Sequence, residues 1–200
     1  MPFGHEKRET RDVKRAMKLV IASTGASGAI YLQRLLDQID ATHHEVHLVL
    51  SQFARQVVHD EIGKLRVPAN IREHNERSMT APFASGSTLF DAMVIVPCTM
   101  GTLGRIAAGT SETLILRAAD VFLKEGRKLV LVPRETPWNL IQARNCCRLL
   151  EAGAVVLPAM PAFYGQPQTI TEAVDTVVHR ILDQIGLPAP GTFRWSENLE

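Results

Sequence analysis

Five short, almost unbroken apolar runs constrain this chain more than anything else in it: Leu19 to Ala22, Val46 to Leu50, Met93 to Val96, Leu129 to Val132 and Val155 to Leu157. Alternating apolar and polar residues would suit a sheet with one wet face, whereas continuous runs suit strands covered on both faces, the habit of parallel sheets. Helical stretches lie between and after them: Ala29 to Ile39 with Leu32, Leu35, Leu36 and Ile39 on one face, Phe53 to Ile62, Leu103 to Ala108, Glu112 to Lys124, Trp138 to Leu150, and Ile170 to Ile185. The alternation predicts an α/β fold, a Rossmann-like, doubly wound parallel sheet in a three-layer α/β/α sandwich. Thr136 followed by Pro137 reads as an N-cap and first helical position, while Gly126, Gly153 and Gly186 fall just past helix ends. Residues 63–91, with Pro68, Asn70, Asn75, Pro82 and Gly86, read as one long irregular connection.

Size and charge exclude several classes of function. Two hundred residues fit one domain, and 46% hydrophobic with 22% charged residues is ordinary for a globular protein. Twenty-two basic against 21 acidic side chains leave a formal charge of +1, so no field recruits nucleic acid or an anionic membrane. No run is long and apolar enough for a membrane span, and residues 4–14 carry mixed charges without an apolar leader core, so a cytoplasmic protein is expected. The organisation expected is an N-terminal tail over 1–16, one domain over 17–188 and a C-terminal tail over 189–200.

Cysteine and histidine patterns point away from disulfides and metals. Cys98 follows an apolar run without a neighbouring histidine and reads as a buried structural thiol, while Cys146 and Cys147 are adjacent on a predicted helix. His43, His44 and His47 have no Asp, Glu or Cys completing a metal set and are assigned to a solvated turn.

The chemistry is concentrated where apolar runs end, the edge at which open parallel sheets bind nucleotides and phosphates. There stand Thr24-Gly25-Ala26-Ser27-Gly28, Ser51, Thr99-Met100-Gly101-Thr102 and Arg134-Glu135. The first loop can present amides, a hydroxyl and a helix amino end to a phosphate, although a tight strand-to-helix turn explains its glycines as well. It matches neither GxGxxG, a Walker A loop nor the GxSxG elbow.

The stretch VIVPCTMGTLGRIAAGTSETLILRAADVFLKEGRKLVLVPRE from Val94 to Glu135, with TGASGAIY from Thr24 to Tyr31 and PAMPAFYGQP from Pro158 to Pro167, closely resembles the UbiX family of flavin prenyltransferases. The resemblance runs from about Met17 to Trp195. It implies a flavoprotein fold assembled as a homododecamer. The implied activity is transfer of a dimethylallyl group from dimethylallyl phosphate to N5 and C6 of reduced FMN, the prenylated FMN serving a UbiD-type decarboxylase.

On that resemblance, FMN is held by Gly25, Ala26, Ser27, Ser51, Thr99, Met100, Gly101, Thr102 and Arg134, and the prenyl phosphate by Lys124, Tyr164 and Arg180. Ser27, Glu61, Lys124 and Glu135 take the catalytic roles. Two cations and a phenol suit a departing phosphate. With no acidic magnesium cluster in the sequence, metal-independent transfer is expected, Lys124 and Arg180 supplying the positive charge.

Each of these residues also has an ordinary explanation. Lys124 suits a helix carboxyl end, Arg180 can pair with Asp183 three residues on, Tyr164 can plug a Pro-rich loop, and Glu135 suits the start of a helix at Thr136-Pro137. Glu61 has no such explanation, because a carboxylate near the carboxyl end of its own helix is disfavoured. Met79 stands where many relatives carry an aromatic, and Trp195 is expected to contribute one from the C-terminal tail. The alternatives are a flavin-dependent cysteine decarboxylase, for which His59 is the nearby candidate base but whose substrate clamp is missing from Pro133-Arg134-Glu135-Thr136-Pro137-Trp138, and a non-catalytic FMN carrier.

Overall fold

A computed structural model describes residues 15–189. Six parallel strands form one sheet in the order β3-β2-β1-β4-β5-β6: β1 Lys18–Ser23, β2 Glu45–Leu50, β3 Arg72–Asn75, β4 Ala92–Cys98, β5 Lys128–Pro133 and β6 Val155–Val156. The helices are α1 Ala29–Gln38, α2 Gln52–Ile62, α3 Met100–Ala107, α4 Leu114–Lys124, α5 Leu140–Glu151 and α6 Ile170–Gln184. All seven residues of β4 are buried, as a central strand covered on both faces requires.

Strand alternation divides the core into two faces. Val20, Ala22, Met93, Ile95, Leu129 and Leu131 pack under α3, α4 and α5, with Leu103, Phe122 and Leu149 from the helices. Leu19, Ile21, Val46, Leu48, Val94 and Val130 pack under α1, α2 and α6, with Leu32, Ala54 and Val178. The sandwich is therefore doubly wound, with its strand order reversing between β1 and β4.

The predicted strands and helices are present, with four corrections. The 63–91 connection holds an extra strand, β3, and a 3-10 turn at Pro82–Ala84. Its sequence, Arg-Glu-His-Asn, shows no apolar run because it is an edge strand, wet along most of its length. Helix α3 starts at Met100 rather than Leu103, capped by Thr99. Helix α4 starts two residues late, after Thr113. Thr136-Pro137 does not open α5; Asn139 does, in a reciprocal capping box with Gln142 whose two side chains satisfy each other's backbone amides.

Residues 1–14 and 190–200, and with them Trp195 and most of both expected tails, lie outside the described residues. Among the described residues, no helix is long and apolar enough to cross a membrane.

Candidate functional site

The reversal of strand order opens a crevice at the carboxyl ends of β1 and β4, and Thr24 stitches its floor. Its amide donates to Pro97 O at 3.1 Å, and its Oγ1 accepts from Thr99 N at 2.8 Å. Beside it lies a cavity of about 240 Å³ lined by Thr24, Gly25, Ser51, Thr99, Thr102 and Thr113 among others.

Three helices aim their amino ends at this cavity, each capped by a hydroxyl that lines it. Ser51 Oγ accepts from Ala54 N at 3.0 Å at the start of α2, Thr99 Oγ1 from Thr102 N at 3.0 Å at α3, and Thr113 Oγ1 from Leu116 N at 3.3 Å at α4. Three converging helix amino ends and the Arg105 guanidinium on the wall favour an anion in the cavity, with the Glu76 carboxylate the one opposing charge in the lining. Such a lining fits a phosphate ester. Gly25 is required there by space, because a Cβ on it would lie 2.4 Å from Phe53 Cβ, against the start of α2.

Of the residues assigned to FMN, Gly25, Ser51, Thr99 and Thr102 line the cavity. Ala26 and Met100 are buried, Met100 as part of the core, and neither is among the residues lining the cavity. Gly101 is exposed in the first turn of α3.

Ser27, Glu61 and Arg134 form a second group beside the first loop. Gly28, with φ 113°, caps α1 but has no side chain to offer its amides. Glu61 supplies the missing acceptor: Oε2 takes Gly28 N at 2.9 Å and Ala29 N at 2.8 Å. The carboxylate that its own helix disfavours thus sits at the amino end of another. Burial raises the Glu61 pKa, but hydrogen bonds from Ser27, Gly28 and Ala29 and the charge of Arg134 outweigh it, leaving the carboxyl below its ordinary value. Arg134 Nε donates to Ser27 O at 3.1 Å, tying the end of β5 to the loop after β1.

The three residues assigned to the prenyl phosphate are not gathered. Lys124 ends α4, whose 11 residues carry it about 16 Å from the cavity on an α-helical rise, and there it pairs with Glu125. Arg180 lies on α6, on the other face of the sheet, paired with Asp183 at 3.0 Å. Tyr164, 72% exposed, occupies the loop that Ala162 N ties to Thr176 Oγ1, one turn before Arg180 on α6. Tyr164 and Arg180 therefore share a side of the molecule, and Lys124 is across the sheet.

Glu135 is exposed; its Oε1 accepts from Thr136 N at 3.1 Å and its carbonyl from Trp138 Nε1 at 3.0 Å. Because α5 opens only after Asn139, helix-start electrostatics do not explain Glu135. Met79 is half exposed. Cys98 is fully buried, and burial pushes its thiol up to about 12, the behaviour of a structural cysteine.

His47 departs from the solvated turn expected of it. It is buried on β2, with Nδ1 2.7 Å from His74 Nε2 and Nε2 3.0 Å from Glu45 Oε1, between the rings of Phe83 and Phe90. An ionised Glu45 can only accept, so His47 donates from Nε2 and accepts from His74 at Nδ1. Among the described residues, no group of three or more His, Cys, Asp or Glu is placed to hold a metal ion.

Sequence reasoning missed Gln52, Phe53, Glu76, Arg105, Thr113, Ile115 and Leu116 in the cavity wall. Thr113 was findable as a hydroxyl preceding the apolar run of α4. Glu76 was not, because it follows an edge strand without an apolar signature.

Comparison with known proteins gives a consistent result. The chain matches the Flavoprotein family model over residues 7–185. It is 43% identical to the flavin prenyltransferase UbiX of Pseudomonas aeruginosa, covering 90% of this chain and 94% of that one. The crystal structure of AnUbiX (PadA1) in complex with FMN and dimethylallyl pyrophosphate is similar at 40% identity and TM-score 0.84, over 90% of this chain and 98% of that one. A dodecameric FMN-dependent UbiX-like decarboxylase from Escherichia coli O157:H7 is 42% identical with TM-score 0.82, over 90% and 99% of the two chains.

Proposed function

This chain belongs to the UbiX family of flavin prenyltransferases among the flavoproteins, and we propose that it transfers a dimethylallyl group from dimethylallyl phosphate to N5 and C6 of reduced FMN. The observation that carries the reading is the convergence of three hydroxyl-capped helix amino ends and Arg105 on one cavity at the switch point, a lining suited to the phosphate of FMN. Reduced FMN is the acceptor and supplies the nucleophilic atoms.

The chain's own residues bind, orient and manage charge. Ser51, Thr99, Thr102 and the amides of Gly25, Ala26 and Gly101 hold the flavin, with Arg134 beside Ser27. Lys124 and Arg180 offset the charge of the departing phosphate, Tyr164 donates a hydrogen bond to it, and Glu135 exchanges a proton with it. Glu61, kept ionised by the α1 amides, accepts a proton through Ser27 as the new ring closes. The presence of Lys124, Glu135, Tyr164 and Arg180 in the chain supports transfer over cysteine decarboxylation or flavin carriage, neither of which needs a second phosphate site.

Because Lys124 lies across the sheet from Tyr164 and Arg180, we take the working site to be shared between copies in a homododecamer, the assembly of the Escherichia coli O157:H7 relative. Residues 17–188 then form the flavin-binding domain. The product serves a UbiD-type decarboxylase, in the cytoplasm. The test is anaerobic incubation of the purified protein with reduced FMN and dimethylallyl mono- or pyrophosphate. A flavin mass increased by one C5 unit is expected; unchanged flavin with both donors overturns the reading.

A further inference from the structure

The cavity that suits a flavin phosphate already contains one carboxylate. Glu76 follows the last residue of β3 and touches the first residue of two helices. Its Oε2 accepts from Gln52 N, the start of α2, at 3.1 Å, and its backbone carbonyl accepts from Leu114 N, the start of α4, at 2.8 Å. Glu76 and Arg105 are the charged residues in the cavity lining. The amides and dipole that stabilise a carboxylate at a helix amino end are those that would stabilise a phosphate. One N–H cannot serve both fully, and two anions in one cavity repel.

Resting on the prenyltransferase reading, we propose that Glu76 is a displaceable anion that keeps the flavin phosphate exchangeable. Its carboxylate covers the first amide of α2 when the phosphate is away and opposes the phosphate when it is bound. The acceptor and the prenylated product carry the same phosphate group, and the product has to leave for its decarboxylase. Three helix amino ends and an arginine, unopposed, would retain product as firmly as they capture acceptor. The hydrogen bond to Leu114 N is made by the backbone, so the side chain can swing aside without releasing α4.

Glu76→Gln isolates the charge, since the amide oxygen still accepts from Gln52 N and the backbone bond to Leu114 N is untouched. The purified full chain and the variant are titrated with FMN and with riboflavin, which lacks the phosphate, by flavin fluorescence. FMN release is then timed after dilution. The variant is expected to bind FMN about tenfold more tightly and release it more slowly, with riboflavin affinity unchanged, while Glu76→Asp keeps wild-type FMN affinity within about twofold. FMN binding that is unchanged or weaker in Glu76→Gln overturns the proposal, as does equal tightening of both flavins, which would make Glu76 a contact to the ribityl chain or ring. Failure of Glu76→Gln to fold overturns it too, by making the charge a structural cap. If the wild-type chain binds neither flavin, the flavin reading itself falls, and that outcome is distinct from the others.

Discussion

The residues assigned to the flavin and those assigned to the prenyl phosphate are positioned by different means. Thr24, Gly25, Ser51 and Thr99 each stand directly after a strand, at or just before the start of a helix, so the strand order alone brings them to one cavity, and Thr113 joins them from the turn between α3 and α4. Lys124, Tyr164 and Arg180 stand on a helix end, a loop and a helix flank, distributed over both faces of the sheet. Topology can gather residues at strand ends within one copy. Residues on outer helices of opposite faces come together only when one copy packs against another, the arrangement that the proposed shared site requires.

The largest expected effects test that division directly. Arg180→Ala and Tyr164→Phe should bind FMN normally yet lose transfer by about a hundredfold or more, the usual cost of removing a group that stabilises a departing charge. Lys124→Ala should behave alike despite lying across the sheet. Co-expression of Lys124→Ala with Arg180→Ala should restore part of the activity, because mixed assemblies then contain some sites with both native cations. Loss of FMN binding in Arg180→Ala, or no rescue on co-expression, would break the comparison.

Gly25→Ala should act on the other half. The added methyl would lie 2.4 Å from Phe53 Cβ, which sits in the first turn of α2 and cannot swing away. Overpacking of this kind costs about 1–3 kcal/mol, and here it would push α2 from the crevice. Equilibrium dialysis should show FMN affinity lowered about tenfold, with fold content by circular dichroism retained. Unaltered FMN affinity would mean that the cavity does not hold the cofactor.

What was legible in the sequence follows the same line. Buried parallel strands write themselves as apolar runs, so β1, β2, β4 and β5 were readable, with the short, half-buried β6 beside them, and the segments that follow β1, β2 and β4 carried Thr24, Gly25, Ser51, Thr99 and Thr102 of the cavity wall with them. The edge strand β3 was hidden, since Arg72, Glu73 and Asn75 face water, and Glu76 and the His47–His74 contact were hidden with it. Pro137 misled because proline marks helix starts only on average, and the Asn139–Gln142 box outcompeted it. Glu61 was singled out for the right reason, an unfavourable place in its own helix, but its partner at α1 could come only from the fold.

Glu61→Gln should have a smaller, divided effect. Ring closure should slow while donor affinity changes little, measured as accumulation of singly attached prenyl flavin over product. Removing the charge from the α1 amino end should also cost about 0.5–1 kcal/mol. The folded-state pKa of Glu61 is depressed from 4.5, so its contribution is complete above that value and is lost as pH falls through the folded-state value. Wild-type and Glu61→Gln stabilities should therefore converge in acid. Parallel curves down to pH 3 would remove Glu61 from the account.

The gentlest test uses the edge of the sheet to weaken the flavin half alone. His47 and His74 hold β3 against β2, and Glu76 directly follows β3. Burial depresses both imidazoles below 6.5, opposed at His47 by Glu45 and reinforced at both by Arg72, with Lys18 adding to it at His47 and the neighbouring His47 at His74. Phe83 and Phe90 around the pair offer a proton no solvation. With folded-state values below the unfolded one, both rings are neutral in either state above about pH 6.5, where their contribution is complete. As pH falls below that, the unfolded chain takes up protons that the folded chain resists, and stability declines. Thermal melts of the wild type should drop between pH 7 and pH 5, and FMN should dissociate more readily over that interval. His74→Phe leaves one imidazole and fills the same aromatic cluster, so its melting temperature should fall less over the same range. An equally steep decline in His74→Phe would place the acid sensitivity elsewhere and uncouple β3 from the flavin site.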